Sequence, residues 1–193
     1  MNVNLPANIE EIESIEGGFN IYRVDYPTLI NEIGELRVIA WRTEKGIAPD
    51  IFSQRTWLDE YDEIALHWIM LKEKFLMASA RISIHPELSE IPWADNTTVY
   101  DMSFLKSPVA SINRLVVHPD FRGRGLTRYL DRIRIDTAKK MGVKTIIAEP
   151  VLIRINSLID LGFKYVGKLP ATIELPGVEL GLMYLDIDNN YKI

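Results

Sequence analysis

The chain has no cysteine, which removes disulfides, thiolate metal sites and an acyl-cysteine intermediate from consideration. It is short of positive charge: 22 Lys and Arg against 27 Asp and Glu leave a net charge of −5. A nucleic-acid or anionic-membrane partner needs a basic face to neutralise phosphates, so neither is expected. No stretch approaches the ~20 consecutive apolar residues that a spanning helix requires, and no membrane span is expected. Residues 1–18 carry Asn, Glu and Pro without a basic start or a continuous apolar run, unlike a secretory leader, and the expected location is the cytoplasm. The histidines, His67, His85 and His118, are scattered without ligand spacing, so no metal is expected. No repeat, low-complexity tract or Pro/Gly/Ser linker interrupts the sequence, and the expectation is one domain over 1–193.

What is present is a globular composition, 47% hydrophobic and 25% charged, patterned as alternating strands and helices. Residues 19–24 read as a strand. Asp25-Tyr26-Pro27 is expected to open a helix, Asp capping free amides and Pro suiting the first turn. Leu29, Ile30, Ile33, Leu36 and Ala40 recur at helical spacing behind it. Residues 42–56 are polar and loop-like. The apolar segments 63–71 and 75–85 flank Lys72-Glu73-Lys74 and read as an antiparallel hairpin, although the first arm is continuous enough to be a helix instead. Residues 86–108 are turn-rich. A strand over 109–117, a helix over 125–141 and a strand over 144–148 then form a strand–helix–strand unit with a parallel portion. A helix over 152–161 stopped by Gly162, and strands over 163–166 and 179–187, complete the chain.

The informative segment is INRLVVHPDFRGRGLTRYLDRIRIDTAKKMG, residues 112–142. An apolar strand ends at Val117, and a turn leads through Arg122-Gly123-Arg124-Gly125-Leu126-Thr127 into a helix. Amides at a helix start are unpaired and point outwards, so with the helix dipole they suit a pyrophosphate. Gly123 and Gly125 allow phosphate oxygens to approach closely, and Arg122, Arg124 and Arg128 add positive charge. A nucleotide P-loop is excluded by the lack of Gly-Lys-Ser/Thr. A dinucleotide fingerprint is excluded because Arg128 stands where its third glycine belongs.

Arg122 to Thr127, behind an apolar strand and His-Pro, resembles the coenzyme A pyrophosphate loop of the GNAT acyltransferases, R/Q-x-x-G-x-G/A, with Thr127 at the last position. Asp160-Leu161-Gly162-Phe163-Lys164-Tyr165-Val166-Gly167 resembles the family's late helix-to-strand signature. The resemblance implies a mixed α/β fold: a largely antiparallel twisted sheet flanked by helices, with a central parallel strand–helix–strand unit. It also implies acetyl-coenzyme A or another acyl-coenzyme A as co-substrate, a small-molecule or peptide amine as acceptor, and a monomer or homodimer. The pyrophosphate would lie on the amides of 123–128. The pantetheine arm would run along the strand ending at Leu115-Val116-Val117, whose amides are placed to stabilise an oxyanion.

A fainter resemblance is to acyl-homoserine-lactone synthases and N-acyl amino acid synthases. Arg37, Trp41, Asp59, Asp62, Arg81 and Arg114 fall in the order of that branch's Leu-Arg, aromatic, Asp-x-x-Asp and strand-Arg pattern and are candidate acceptor-binding residues. Ser111 stands where the branch carries Glu. Arg37 alone reads as a solvated helix-face residue, and Arg81, between apolar neighbours, needs Asp59 or Asp62 as partner. The GNAT acid Tyr is replaced by Leu158. Ser111, Asn113, Glu149, Asn156 and Ser157 are therefore the catalytic candidates, Asp59 and Asp62 are the other carboxylates that could serve as base, and a water relay is the alternative. Acetyl transfer, long-chain transfer to an amino acid, and a non-catalytic coenzyme A-binding module remain open.

Overall fold

The computed structural model describes residues 1–187 apart from Asn8, Lys45, Pro49 and Ile173. In chain order its regular elements are β1 (Glu10–Ile15), β2 (Phe19–Val24), α1 (Ile30–Arg42), β3 (Leu66–Lys72), β4 (Phe75–His85), the single turn α2 (Ala94–Thr97) and β5 (Val109–Val117). There follow α3 (Leu126–Lys140), β6 (Thr145–Ala148), the short α4 (Ile155–Ile159), β7 (Lys164–Lys168) and β8 (Gly181–Asp186). The strands hydrogen-bond in the order β1-β2-β3-β4-β5-β6-β8-β7. The pairs β1-β2, β2-β3, β6-β8 and β7-β8 are antiparallel, whereas β5 and β6, joined through α3, are parallel. This is the mixed, mostly antiparallel sheet flanked by helices that the loop motif implied. Among the described residues no helix is long and apolar enough to cross a membrane.

The chain divides into two compact units, residues 1–81 with 114–130 and residues 82–113 with 131–193; it passes between them inside β4, β5 and α3. In the first unit, Ile33, Leu36 and Ala40 of α1 pack with Val24, Ile69, Leu71, Leu76 and Val116. Each buried Val, Leu or Ile among them contributes roughly 1.5–3 kcal/mol. In the second, the floor is built from Val109, Ala110 and Ile112 of β5, Ile146 and Ile147 of β6, and Leu182, Met183 and Leu185 of β8, all buried.

Several local expectations change. The helix does not open at Asp25-Tyr26-Pro27: the Tyr26–Pro27 bond is cis, Leu29 stands before the helix at φ 55, and the Asp25 carboxylate instead accepts from Arg23. A left-handed residue at Leu29 takes the preceding chain off the helix path, so Asp25 does not face the first-turn amides. The 63–71 segment is strand from Leu66 onward, paired as Phe19↔Lys72 through Val24↔His67. Its apolar run is continuous because His67 to Leu71 are buried on both faces. β1, with the sequence EEIESI, carries no such run and is exposed at the sheet edge; only its pairing to β2 makes it a strand. The 152–161 helix shrinks to Leu152–Arg154 in a tight turn plus α4, since Val151 bridges Leu180 and the Leu152 amide donates to Glu179.

Candidate active site

The turn from β5 into α3 is built by local sterics. Gly123 and Gly125 have φ of +75° and +72°, a region that a side-chain-bearing residue enters only at a cost of about 1–2 kcal/mol. A Cβ built on either glycine meets nothing within 4 Å, so conformation calls for glycine there, and the space above the turn is open. Among the described residues none accepts a hydrogen bond from the backbone amides of 123–127; the next amide, Arg128, donates to the Gly125 carbonyl at 3.1 Å. Leu126 is buried and anchors the helix start, while Arg124 and Arg128 are exposed. The Arg124 guanidinium lies over the Phe121 ring, 5.2 Å from its centroid. Arg122 turns the other way: it donates to the carbonyls of Ala40 (2.6 Å) and Val117 (3.4 Å) and pairs with Glu44. It ties the turn to the C-terminal end of α1, where partial negative charge favours a cation.

The predicted acceptor residues form a second, buried constellation in the same unit. Gly34 on α1 lets the 56–58 segment approach, since a Cβ there would lie 2.9 Å from the Thr56 side chain and 3.0 Å from Leu58, and the Trp57 amide donates to the Gly34 carbonyl. One turn later Arg37, fully buried rather than solvated, makes a two-pronged pair with Asp62, both bonds 2.9 Å, and donates to the Trp57 carbonyl at 3.1 Å. Arg81 bonds both Asp59 and Asp62, so it takes both of its candidate partners. Arg114 donates twice to Asp59, and its guanidinium carbon lies over Trp57, 3.8 Å from the ring centroid. Arg114 has φ 50 within β5, a strained state costing about 1–3 kcal/mol that persists only when surroundings impose it; the Asp59 clamp and the Trp57 ring are those surroundings. Trp41 reaches the group indirectly, edge-on to Trp57 at 5.7 Å and stacked with Phe52.

Charge accounting explains the cluster's behaviour. Burial disfavours ionised Asp62, but hydrogen bonds from Arg37 and the charges of Arg37 and Arg81 outweigh it and hold the carboxyl well below its usual range. Burial likewise opposes ionised Asp59, and Arg81 and Arg114 reverse it. Burial lowers the His67 imidazole, which contacts the Asp62 carbonyl at 2.9 Å. The sequence reading missed Trp57. Its signal was an aromatic two residues before Asp59, which needs tertiary contact to acquire meaning.

In the second unit, β5 and β6 run in register from Val109↔Thr145 to Ile112↔Ala148 and pair no further. Glu149 directly follows the end of β6, as Asn113 directly follows the last β5 residue paired with it. Asn113 donates to the Ser111 hydroxyl at 2.9 Å, two residues back on the same face. The Oε1 atom of Glu149 is shut off from solvent and has no protein partner among the described residues; Oε2 receives only a long bond from Asn96, 3.5 Å. Burial first, opposed by Asn96 and reinforced by Glu174, pushes the Glu149 carboxyl up to about 7. Asn156 and Ser157 lie exposed on α4, the Ser157 hydroxyl donating to the Arg154 carbonyl at 2.7 Å. Among the described residues no group of His, Asp and Glu could hold a metal ion.

Residues 28–157 match the family model described as the acetyltransferase (GNAT) family. FeeM, an N-acyl amino acid synthase from uncultured soil microbes, superposes with a TM-score of 0.65 at 10% identity over 94% of this chain and 93% of its own. YncA from Salmonella typhimurium, solved with its cofactor acetyl-CoA, gives 0.60 at 17% identity over 90% and 96%. The acyl-homoserine-lactone synthase LasI gives 0.60 at 13% identity over 87% and 88%. No curated protein matches the sequence.

Proposed function

Because the chain belongs to the acetyltransferase (GNAT) family, we propose that it is an acyl-coenzyme A-dependent N-acyltransferase, in the cytoplasm and as a monomer or homodimer, that moves an acetyl or other acyl group to a primary amine by direct attack. Acyl-coenzyme A supplies the acyl group activated as a thioester. The single observation that carries the reading is the open, unpaired row of amides at 123–127, a helix-start arrangement that suits a diphosphate. Arg124 and Arg128 add charge at its rim, and Arg122 holds the turn against α1.

The chain's own groups then have definable tasks. Amides of Leu115 to Val117 at the end of β5 stabilise negative charge developing on the thioester carbonyl oxygen. Glu149, ionising near neutral pH and lacking a strong partner, takes the proton from the attacking amine. The amine nitrogen bonds to the acyl carbon, the carbon–sulfur bond breaks, and the thiolate leaves with the electron pair to collect a proton from water. Ser111 and Asn113 orient the acceptor beside Glu149. With no cysteine in the chain, a cysteinyl acyl-enzyme has no counterpart here.

Native mass spectrometry of the purified protein, followed by coenzyme A release across a panel of primary amines, tests the activity. For Glu149 the expected outcome is a rate that rises with pH through about 7, since only the ionised form accepts a proton; Glu149→Gln should lower kcat by about 10²–10⁴-fold and remove that limb. A flat wild-type profile with an active Glu149→Gln enzyme would dismiss Glu149 as the base. Binding without turnover on any amine would instead leave a coenzyme A-binding module.

A second reading rests on the buried group of Arg37, Asp59, Asp62, Arg81 and Arg114. It follows the residue order of the acyl-homoserine-lactone and N-acyl amino acid synthases, and FeeM and LasI share the fold. On this reading the donor carries a long acyl chain and the acceptor is an amino acid or its derivative. A preference for decanoyl- over acetyl-coenzyme A by at least about tenfold in kcat/KM selects it.

A further inference from the structure

α3 carries a charge where its apolar stripe should continue. Leu126, Leu130 and Ala138 recur at four-residue steps as buried residues, and between them stands Arg134, also buried. A guanidinium inside a core is costly unless its donors are satisfied. Arg134 pairs with Asp131 one turn earlier, and Asp131, itself buried, also receives the Arg154 guanidinium from the turn ahead of α4. Burial lowers Arg134 to about 10, with Asp131 opposing and Arg154 reinforcing, so it stays charged at neutral pH.

A second donor of Arg134, Nη1, reaches the backbone carbonyl of Asn113 at 3.3 Å. Asn113 is the first β5 residue beyond the last pair with β6 and immediately precedes the left-handed Arg114. The three-residue chain Arg154, Asp131, Arg134 thus ends on the peptide group at which β5 leaves its regular ladder.

We propose that Arg134 is a positioning residue: backed by Asp131 and Arg154, it fixes the Asn113 peptide and thereby the direction of the β5 amides that follow. This rests on the acyltransferase reading above, in which those amides polarise the thioester carbonyl. Asp131 holds the guanidinium plane, and Arg154, the only partly exposed member with 21% of its side chain accessible, holds Asp131. An ion cluster of this kind gives less net stability than aliphatic packing would, but it imposes one geometry on the group it serves.

The test uses acetyl-coenzyme A labelled with ¹³C at the thioester carbonyl, its affinity measured by calorimetry and its carbonyl stretching frequency by infrared difference spectroscopy. The wild-type protein should bind it with the frequency lowered from that of the free thioester. Arg134→Met should return the frequency to the free value while affinity changes by less than about threefold, because the pyrophosphate turn is left intact. Arg134→Lys, which keeps the charge and one donor, should recover part of the shift. If Arg134→Met does not fold, Arg154→Gln, at the accessible end, decides the matter by giving roughly half the loss of shift. An unchanged shift in the folded variants, or equal loss of shift and affinity, overturns the positioning role. Absence of any acetyl-coenzyme A binding by the wild-type protein overturns the acyltransferase reading instead.

Discussion

The β5–α3 turn and the buried arginine–aspartate group of the first unit are opposites in construction. The turn is a contiguous stretch, Arg122 to Arg128, whose glycines adopt left-handed φ under open space and whose first amides face outwards. The buried group is assembled from residues 37, 57, 59, 62, 81 and 114, with its carboxylates engaged by its guanidinium groups and, among the described residues, only the buried Arg37 Nε left without an acceptor. One region leaves its hydrogen-bonding capacity open. The other consumes it internally and so holds α1, the 57–62 segment, β4 and β5 at fixed separations. A polar cluster can thus stand open to solvent or be paired within itself to fix the architecture, and residue type alone does not tell which.

The largest expected effect breaks the paired cluster. Asp62→Ala leaves Arg37 and Arg81 facing each other without their shared carboxylate and removes the acceptor of the Asp59 amide. Uncompensated buried charge of this kind costs about 3–5 kcal/mol, to be read from the urea midpoint. The sign with pH follows. Asp59 and Asp62 titrate in the folded state below their ordinary value of 3.8, so their stabilisation is full above that value and is lost as the pH falls through the folded range. The acid-induced loss should therefore be smaller in Asp62→Ala than in the wild-type protein.

The next effect breaks the open region and should leave the fold alone. Gly125→Glu puts a carboxylate and an unfavourable φ at the proposed anion cradle, and acetyl-coenzyme A affinity should fall at least about a hundredfold by calorimetry, close to 2.7 kcal/mol. An unchanged affinity in a folded Gly125→Glu protein would remove the turn from the site.

The smallest effect sharpens the boundary between the two. Gly34→Ala adds one methyl group against the Thr56 and Leu58 side chains, and overpacking of this sort costs about 1–3 kcal/mol in thermal or urea unfolding. Because it pushes the 56–58 segment away from α1, it should weaken the Arg37–Asp62 pair without altering acetyl-coenzyme A affinity.

Legibility followed the same division. The strand–turn–helix around Gly123 and Gly125 and the parallel strand after it were readable because local sterics and periodicity create them. β1 was invisible because nothing in EEIESI announces a strand until β2 supplies hydrogen-bond partners. Arg37 reads as a surface residue because an arginine on a helix is usually solvated; it is buried because Gly34 admits a segment twenty residues away in sequence, carrying the Trp57 carbonyl and then Asp62. Arg134 offered one overlooked signal, a charge on the apolar stripe of its own helix.

By itself, then, the sequence determined the open turn, its glycines and the exclusion of cysteine chemistry, since backbone conformation and covalent identity depend only on the residues concerned and their immediate neighbours. Tertiary structure alone decided which aspartate neutralises which arginine, and raised Glu149 to about 7. Those outcomes depend on removing water and on bringing charges together, and both are done by parts of the chain remote in sequence.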